Sequence, residues 1–386
     1  MKTSIDIKPE ILRWAIERSG LKIDDSAPEI LQLAKEWINR TKTPTLKKLE
    51  AFAKKVMVPL GYLFLDTPPV EKLPVADFRT FNDKLPRRPS PNLIDTLHEM
   101  QARQEWMRDE AIENGIPPIS FVGAVSETAS VKEAAIQIKN YLELSDEWTK
   151  GCKNTDEIFW KLRNAADDIG ILVFLNGIVG ANTHRSLDHE EFRGFVLVDK
   201  YAPLVFINSN DTKTAKLFTL AHELVHLAMG KAGLFNLRNL EAGQKASEIR
   251  CNEIAAEMLV PSEVFSEQWK ADDSFDNLAK YFGVSKLVIA RRALDHHFIS
   301  RDQFFSFYQK NRNQWEQQKE QKKAEGRSGG DFYTTTNSRL SRRFVLAVFS
   351  AVGAGELLHR DAYNLMGLRG RTFENFKQKI KENRNE

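Results

Sequence analysis

The stretch that decides the fold is Thr219-Leu-Ala-His-Glu-Leu-Val-His-Leu-Ala228. Its apolar side chains spread around the whole helical wheel, which is typical of a helix buried in a protein core. A buried imidazole or carboxylate needs a partner, because an unpaired charge in an apolar interior is costly or shifts its pKa. The sequence therefore predicts that this helix carries a polar site inside the core.

His222 and His226 stand at i and i+4, so both project from one face of the helix and can bind one metal ion. Glu223 lies one step round the helix, where it can reach a water on that metal. This is the HExxH arrangement of zinc hydrolases, but the bare pattern also occurs by chance. The alternative is a pair of ordinary core histidines bonded to backbone carbonyls, and a third ligand would distinguish the two.

The next helix is predicted from about Ser247 to Leu259, because Pro261 cannot continue it. One face of this helix carries its apolar residues together with two polar ones: Glu248, Cys251, Asn252, Ala255 and Leu259. The opposite face carries Arg250, Glu253 and Glu257. We therefore expect Glu248 to be the third metal ligand, and we expect Glu253 and Glu257 to face water in solvated ion pairs. A glutamate favoured at a helix N-terminus is the alternative for Glu248. Cys251 is a possible soft ligand, although its apolar face favours a buried structural thiol.

Two histidines and one glutamate leave the fourth position of a tetrahedral Zn²⁺ open for a water, which marks a catalytic site. Such a metal lowers the pKa of its bound water and polarises a substrate carbonyl. Glu223 would take the water proton and deliver it to the leaving amine, so the predicted reaction is amide hydrolysis. His184, His189 and Arg193 precede the motif and are candidates for stabilising the oxyanion, with surface or loop positions as the alternative.

These motifs resemble the ImmA/IrrE family of metallo-endopeptidases, in the subgroup with an N-terminal Xre-type helix-turn-helix. The resemblance covers most of the chain, and its motifs are Glu191–Gly194, Tyr201–Asn208, Phe218–Leu227, Glu248–Asn252, Ala255–Ala256 and Leu259–Pro261. It also places the metal-binding glutamate at Glu248. The resemblance implies a cytosolic bacterial protease that cuts a repressor or an antitoxin, although some members are better known as regulators.

Composition sets broad limits on the protein. A chain of 386 residues is expected to form two or three domains. Its net charge of +3 neither requires nor excludes a nucleic-acid partner. Cys152 and Cys251 are the only cysteines, which is consistent with a reducing cytosol. The N-terminus lacks the apolar core of a signal peptide, and no apolar run approaches the ~20 residues of a membrane span. We expect a cytoplasmic protein without a membrane partner.

The expected fold class is α+β: a mainly helical multidomain chain whose small antiparallel-containing sheet packs on zincin-type metal-binding helices. Its strands are predicted at Ile171–Leu175 and in a hairpin of Phe195–Val198 and Leu204–Ile207. The expected segments are a degenerate Xre-type helix-turn-helix domain (1–70), a linker and helical segment (71–150), a zinc metallopeptidase core (151–265) and a C-terminal helical region (266–386). Further predicted features are a bridge at Asp77–Thr80, a helix-turn-helix unit at Asp276–Leu294, a helix ending in a linker at Lys310–Gly330 and a last helical module at Phe344–Leu368.

DNA binding is a separate question, because a recognition helix needs exposed Arg, Lys, Asn or Gln near its N-terminal end. The N-terminal motif offers Gln32 and Lys35, but its second helix is truncated at Pro28. The phosphate candidates of the second unit are Lys286, Arg291 and Arg292, with a helical pack beside the active site as the alternative. The leading hypothesis is a zinc endopeptidase acting on a specific regulatory protein. The rival is a DNA-binding regulator or antitoxin component whose metal site is not catalytic.

Overall fold

A computed structural model describes residues 5–24, 27–70, 89–231, 233–235, 246–310 and 332–382. The chain divides into two compact units, Met1–Glu99 and Met100–Glu386. The predicted bridge at Asp77–Thr80 and the predicted linker that follows Lys310 lie outside the described residues. The proposed division into four segments stays a prediction.

The first unit is helical and has its own core. Its elements are α1 (Pro9–Ser19), α2 (Glu29–Ile38), α3 (Leu46–Lys55) and a 3₁₀ helix (Leu60–Phe64), followed by the start of α4 (Pro91–Glu113). Helix α1 begins at a proline and ends at Gly20, whose φ of 70° favours glycine. Inside this unit the buried Arg18 donates hydrogen bonds to the Met57 carbonyl and the Asp95 carboxylate. Helix α2 starts directly after Pro28, as the sequence predicts.

The second unit combines helices with two small sheets. After the end of α4 its elements are α5 (Val131–Tyr141), α6 (Thr155–Asp168), β1 (Leu172–Asn176), β2 (Ile178–Val179), β3 (Asn182–Ser186), β4 (Gly194–Leu197), β5 (Leu204–Asn208), α7 (Lys213–Ala228), β6 (Gly233–Phe235), α8 (Ala246–Leu259), α9 (Ser262–Ala271), α10 (Phe275–Phe282) and α11 (Lys286–Asp295). Residues 301–310 form a further helix, α12. The chain ends with α13 (Phe332–Arg339), α14 (Arg342–Ala354), α15 (His359–Met366) and α16 (Arg371–Glu382).

The main sheet has the strand order β1-β5-β4-β6. Strands β4 and β5 pair antiparallel, as predicted for the hairpin, whereas β1 pairs with β5 in parallel, starting at Leu172 opposite Leu204. Strands β2 and β3 form a separate antiparallel ribbon. The fold is therefore α+β with a small sheet that contains antiparallel pairs, which confirms the expected class.

Helix α7 lies at the centre of the second unit, where it contacts strands β4 and β5 and helices α6 and α8. Every residue from Leu217 to Ala228 is buried, as the all-round apolar pattern predicts. Helix α8 contacts α5 as well as α7, so the two helices with the candidate ligands belong to one packed core.

Helix α8 corrects one expectation from the sequence. Glu257 does not face water: it is only 7% exposed and its carboxylate accepts hydrogen bonds from Arg292 and Ser262. The helical wheel failed here because α11, 35 residues further on, covers this face of α8. Arg292 is itself buried, so it is not available to contact a phosphate as the sequence suggested.

The C-terminal helices pack on the same unit. The buried Arg163 of α6 donates to the Ser338 and Leu340 carbonyls, and Ser341 donates to Asp167 at 2.7 Å. The predicted last module is helical, and the helices continue past its predicted end at Leu368 through α16. In the described part of the chain no helix is both long and apolar enough to cross a membrane.

Candidate metal centre

Three side chains from two helices converge in the core. His222 Nε2 and His226 Nε2, on successive turns of α7, lie 2.9 Å apart. Glu248, in the first turn of α8, places one carboxylate oxygen 3.3 Å from His222 Nε2 and the other 3.4 Å from His226 Nε2. Among the described residues these three form the one cluster able to hold a metal ion. The structure thus brings together the three residues that the sequence nominates as ligands.

The two histidine–glutamate distances fit a metal better than direct hydrogen bonds, whereas the 2.9 Å between the two Nε2 atoms is shorter than the ligand spacing of a tetrahedral site. Metal–ligand bonds of about 2.1 Å in a tetrahedral site separate the ligand atoms by about 3.4 Å. Both histidine–glutamate distances match that spacing, and both exceed the ~2.7–3.2 Å of an ordinary N–H···O bond. Two imidazoles and one carboxylate are also the donor set of catalytic zinc sites. The residues present therefore fit a zinc ion.

Glu223 lies beside the cluster without being part of it. The side chain is completely buried, and neither carboxylate oxygen has a hydrogen-bond partner among the described residues. A buried carboxylate without a partner is costly, so an unpaired one deserves a functional explanation. A water or substrate group at the metal centre would supply the missing partner.

Burial and mutual contacts set the protonation states of the site. Burial lowers the pKa of His222 to about 4 and raises the pKa of Glu223 to about 8. Burial also opposes ionisation of Glu248, but the close contacts with the two histidines outweigh it and hold the Glu248 pKa well below its usual range. A neutral His222 and an ionised Glu248 are the forms that bind metal ions. Burial lowers the pKa of His226, but contacts with Cys251 and Glu248 outweigh it and hold that pKa well above its usual value, so a metal ion would have to displace a proton from this ring.

The sides of the two imidazole rings that point away from the cluster have different neighbours. Cys251 Sγ lies 3.9 Å from Nδ1 of His226 and 3.8 Å from Met229 Sδ, so the thiol faces the ring atom that is not in the cluster. This position favours the structural thiol over the soft ligand. The side chain of Asn252 lies beside His222, although neither of its buried polar atoms forms a well-aligned hydrogen bond with a described residue. The sequence put Asn252 on this face without giving it a role.

Gly194, at the start of β4, has no side chain, and this leaves space for the Glu223 carboxyl group next to it. A Cβ atom at this position would lie 2.7 Å from Thr219 Cγ2, 2.9 Å from the Phe206 carbonyl oxygen and 3.3 Å from Glu223 Oε1. The missing side chain therefore allows β4 to approach α7 closely at the carboxylate. The sequence analysis quoted Gly194 within a motif but did not predict this contact.

None of the three oxyanion candidates joins the metal cluster. His184 lies on the exposed strand β3, and His189 lies in the loop that follows. The guanidinium of Arg193 is paired with the buried carboxylate of Asp211. Arg193 is thus engaged in holding the β4 region together, and its role at the site stays a prediction.

Comparison with known proteins agrees with this geometry over part of the chain. Residues 166–294 match a peptidase family described as the IrrE N-terminal-like domain, and residues 340–379 match a domain of unknown function, DUF8813. The chain is 30% identical over 99 residues to "Uncharacterized immunity region protein 2" of Bacillus phage phi105. That alignment covers 25% of this chain and 62% of the phage protein, which is less than two thirds of the relative.

The matched peptidase segment runs from the end of α6 into α11 and includes all four candidate site residues. The fold and the cluster thus define the class of this segment: it is similar to the peptidase domain of the ImmA/IrrE type. The match does not reach the first unit, whose helix-turn-helix assignment stays a prediction.

Proposed function

We propose that the protein is a zinc-dependent endopeptidase that hydrolyses peptide bonds in a specific regulatory protein, such as a phage-type repressor or an antitoxin. The convergence of His222, His226 and Glu248 beside the unpaired carboxyl group of Glu223 is the observation that carries the proposal. A structural metal site would be closed by a fourth ligand and would have no use for a buried, unpaired carboxyl group.

Zinc bound by these residues would supply a Lewis acid and a water with a lowered pKa. Burial alone keeps Glu223 protonated near neutral pH, but a bound cation would favour its carboxylate form. The carboxylate would then accept the proton of that water and deliver it to the leaving amine, because its oxygens have no other described partner. Burial of Leu217–Ala228 keeps bulk water away from the carboxyl group while it holds the proton. Asn252 lies where its amide would orient the His222 ring.

The nature of the substrate is inferred from a relative. The phage protein that the chain resembles is named for an immunity region, which supports a regulatory protein as the partner. A repressor or an antitoxin is a cytoplasmic protein, and we accordingly expect this enzyme to act in the cytoplasm. The alternative remains a DNA-binding regulator whose metal site is not catalytic, with the first unit as the predicted DNA contact.

The test separates hydrolysis from metal binding. We would co-express the protein with the repressor or antitoxin of the adjacent gene and follow the disappearance of that partner. Glu223→Gln should keep about one zinc per chain but slow cleavage by at least ~10²-fold, the lower range for general acid–base groups. Glu253→Gln, on α8 and outside the metal cluster, is the matched control and should cleave normally.

Two results would contradict the proposed enzymatic function. Undiminished biological activity of the Glu223→Gln protein would mean that hydrolysis is not the function, and the DNA-binding regulator would become the better explanation. Equal zinc content in the wild type and in a His226→Ala variant would contradict the assignment of the metal site itself.

A further inference from the structure

The last three helices form a small unit with a shared aromatic core. Phe373 of α16 packs against Phe349 of α14 and Tyr363 of α15, with ring centroids 5.3 and 5.2 Å apart. Phe376 adds a second contact to Phe349 at 6.0 Å. This unit coincides with the segment that matches the domain of unknown function, and the proposed peptidase uses none of its residues.

Helices α15 and α16 have the dimensions of a helix-turn-helix. Helix α15 has 8 residues and ends at Gly367, whose φ of 67° breaks the helix. Residues 367–370 form the turn, and α16 follows with 12 residues. A short second helix, a turn of three or four residues containing glycine and a longer third helix are the parts of a DNA-binding helix-turn-helix.

The exposed face of α16 carries side chains that read DNA bases. Arg371, Asn375 and Gln378 lie on one face at i, i+4 and i+7, opposite the buried Phe373 and Phe376. Arginine pairs with guanine, whereas asparagine and glutamine pair with adenine in the major groove. In this structure Asn375 donates to the Tyr333 hydroxyl at 3.2 Å and Gln378 donates to Glu382 at 2.9 Å. Both bonds are exposed and can be exchanged for bonds to bases.

The positive charge of this unit favours binding to a polyanion. Residues 358–382 contain six Lys and Arg against three Asp and Glu, so this short segment has a net charge of +3, equal to that of the whole 386-residue chain. Within the described parts of the chain, Arg369, Arg371 and Lys381 are exposed and have no carboxylate partner. These cations remain available for phosphate oxygens.

The unit at α10 and α11 shows the opposite arrangement. There Arg292 is buried against Glu257, Arg291 bonds Asp295 and Lys286 bonds Asp276. All three phosphate candidates of that helix pair thus have carboxylate partners within the protein, which supports the interpretation of a helical pack beside the site. The contrast makes α15 and α16 the better DNA candidate in the second unit.

We propose that α15 and α16 bind duplex DNA, with α16 in the major groove and Arg369 and Lys381 on the phosphates. The unit is anchored on the candidate peptidase, because Arg163 bonds the Ser338 and Leu340 carbonyls and Arg342 pairs with Asp168. DNA binding would therefore hold the metal centre near proteins on the same DNA. Only this last consequence rests on the proposed function.

The experiment measures the fluorescence anisotropy of a labelled 30-base-pair random-sequence duplex with the full-length protein over a range of salt concentrations. Arg369→Gln/Lys381→Gln removes two phosphate-neutralising charges from exposed positions, so it should weaken binding at least ~10-fold near 0.1 M salt and reduce the salt slope by about 1.8. Lys47→Gln/Lys48→Gln removes the same charge from α3 of the first unit and should change affinity less than twofold.

Circular dichroism and melting of the variants provide the control for folding. If the glutamine variant fails to fold, Arg371→Lys replaces it, since it keeps the charge but loses the planar pairing with guanine; it should bind random DNA normally yet select different sequences. Unchanged affinity of the folded Arg369→Gln/Lys381→Gln protein would overturn the proposal. Loss confined to the Lys47→Gln/Lys48→Gln protein, or equally tight binding of poly-L-glutamate, would overturn it as well.

Discussion

Replacing Glu257 by Gln tests the packing that positions α8. The Glu257 carboxylate is buried near the end of the helix, where it accepts bonds from Arg292 and from the backbone N–H of Ser262. Arg292 is 4% exposed, so removing the negative charge leaves a guanidinium in the core. Breaking a buried ion pair on one side destabilises a protein by about 3–5 kcal/mol. A glutamine still accepts hydrogen bonds, so we expect the lower end, about 3 kcal/mol.

The assay is thermal unfolding by calorimetry, with the variant compared to the wild type at equal protein and zinc concentrations. For a unit as large as Met100–Glu386, 3 kcal/mol corresponds to a fall in the melting temperature of roughly 5 °C. Glu253→Gln on the same helix serves as the control, and it should change the stability by less than about 0.5 kcal/mol.

The pH dependence of this difference gives a second readout. Burial raises the pKa of Glu257, but the attraction of Arg292 and the bonds from Ser262 outweigh it, so its pKa is lowered overall. A carboxylate with a lowered folded-state pKa contributes its full stability above its unfolded pKa and loses it as the pH falls through the folded value. The difference between wild type and Glu257→Gln should therefore be constant from pH 8 to 5 and shrink below about pH 4.3.

A Glu257→Gln protein that melts within 1 °C of the wild type would refute the reasoning. It would mean that Glu257 faces water, as the helical wheel of the sequence suggested, and that α11 does not cover this face of α8. A difference that grows as the pH falls below 4 would also contradict the ion pair, because protonation should make wild type and variant alike.

Three further predictions concern the core around the site. His226→Ala and Glu248→Gln should each lower the zinc content measured by mass spectrometry, and zinc should no longer raise their melting temperatures, since a ligand stabilises only the state that binds it. Gly194→Ala should cost about 1–3 kcal/mol in urea unfolding, because its Cβ would lie 2.7 Å from Thr219 Cγ2; an equally stable variant would show that β4 is not held this close to α7. Arg163→Leu should lower the free energy of unfolding by about 3 kcal/mol or more, because three carbonyls lose their hydrogen-bond donor and the buried Asp167 carboxylate loses its positive neighbour. A small loss of stability would argue against docking of the C-terminal helices on α6.

The sequence predicted the site better than its surroundings. The i, i+4 spacing of His222 and His226 is local, so the shared face follows from helix geometry alone. Glu248 followed from the apolar face of its own helix and from the family resemblance. The helical state of Thr219–Ala228, the bounds of α8 and the antiparallel pairing of β4 with β5 were predictable for the same reason: each depends on residues close together in the chain.

The features that the sequence analysis missed depend on distant residues. Glu257 is buried because Arg292 lies over it, and nothing in α8 alone indicates that partner. The parallel pairing of β1 with β5 joins strands separated by the β2–β3 ribbon and β4. The predicted last module ended at Leu368 and so left out α16, which Phe373 and Phe376 dock against Phe349.

The three candidate ligands differ in how firmly they are held. The side chains of His222 and His226 are 0% and 4% exposed, whereas that of Glu248 is 25% exposed and sits at the start of its helix. Amide hydrogens in a helix as enclosed as α7 exchange with solvent only when the whole unit opens, while the first turn of α8 can fray by itself. A metal would therefore enter past Glu248 and meet two histidines already in position. In hydrogen exchange, chelation should deprotect the first turn of α8 and leave α7 unchanged, so that loading and loss of the ion are controlled by one turn of one helix.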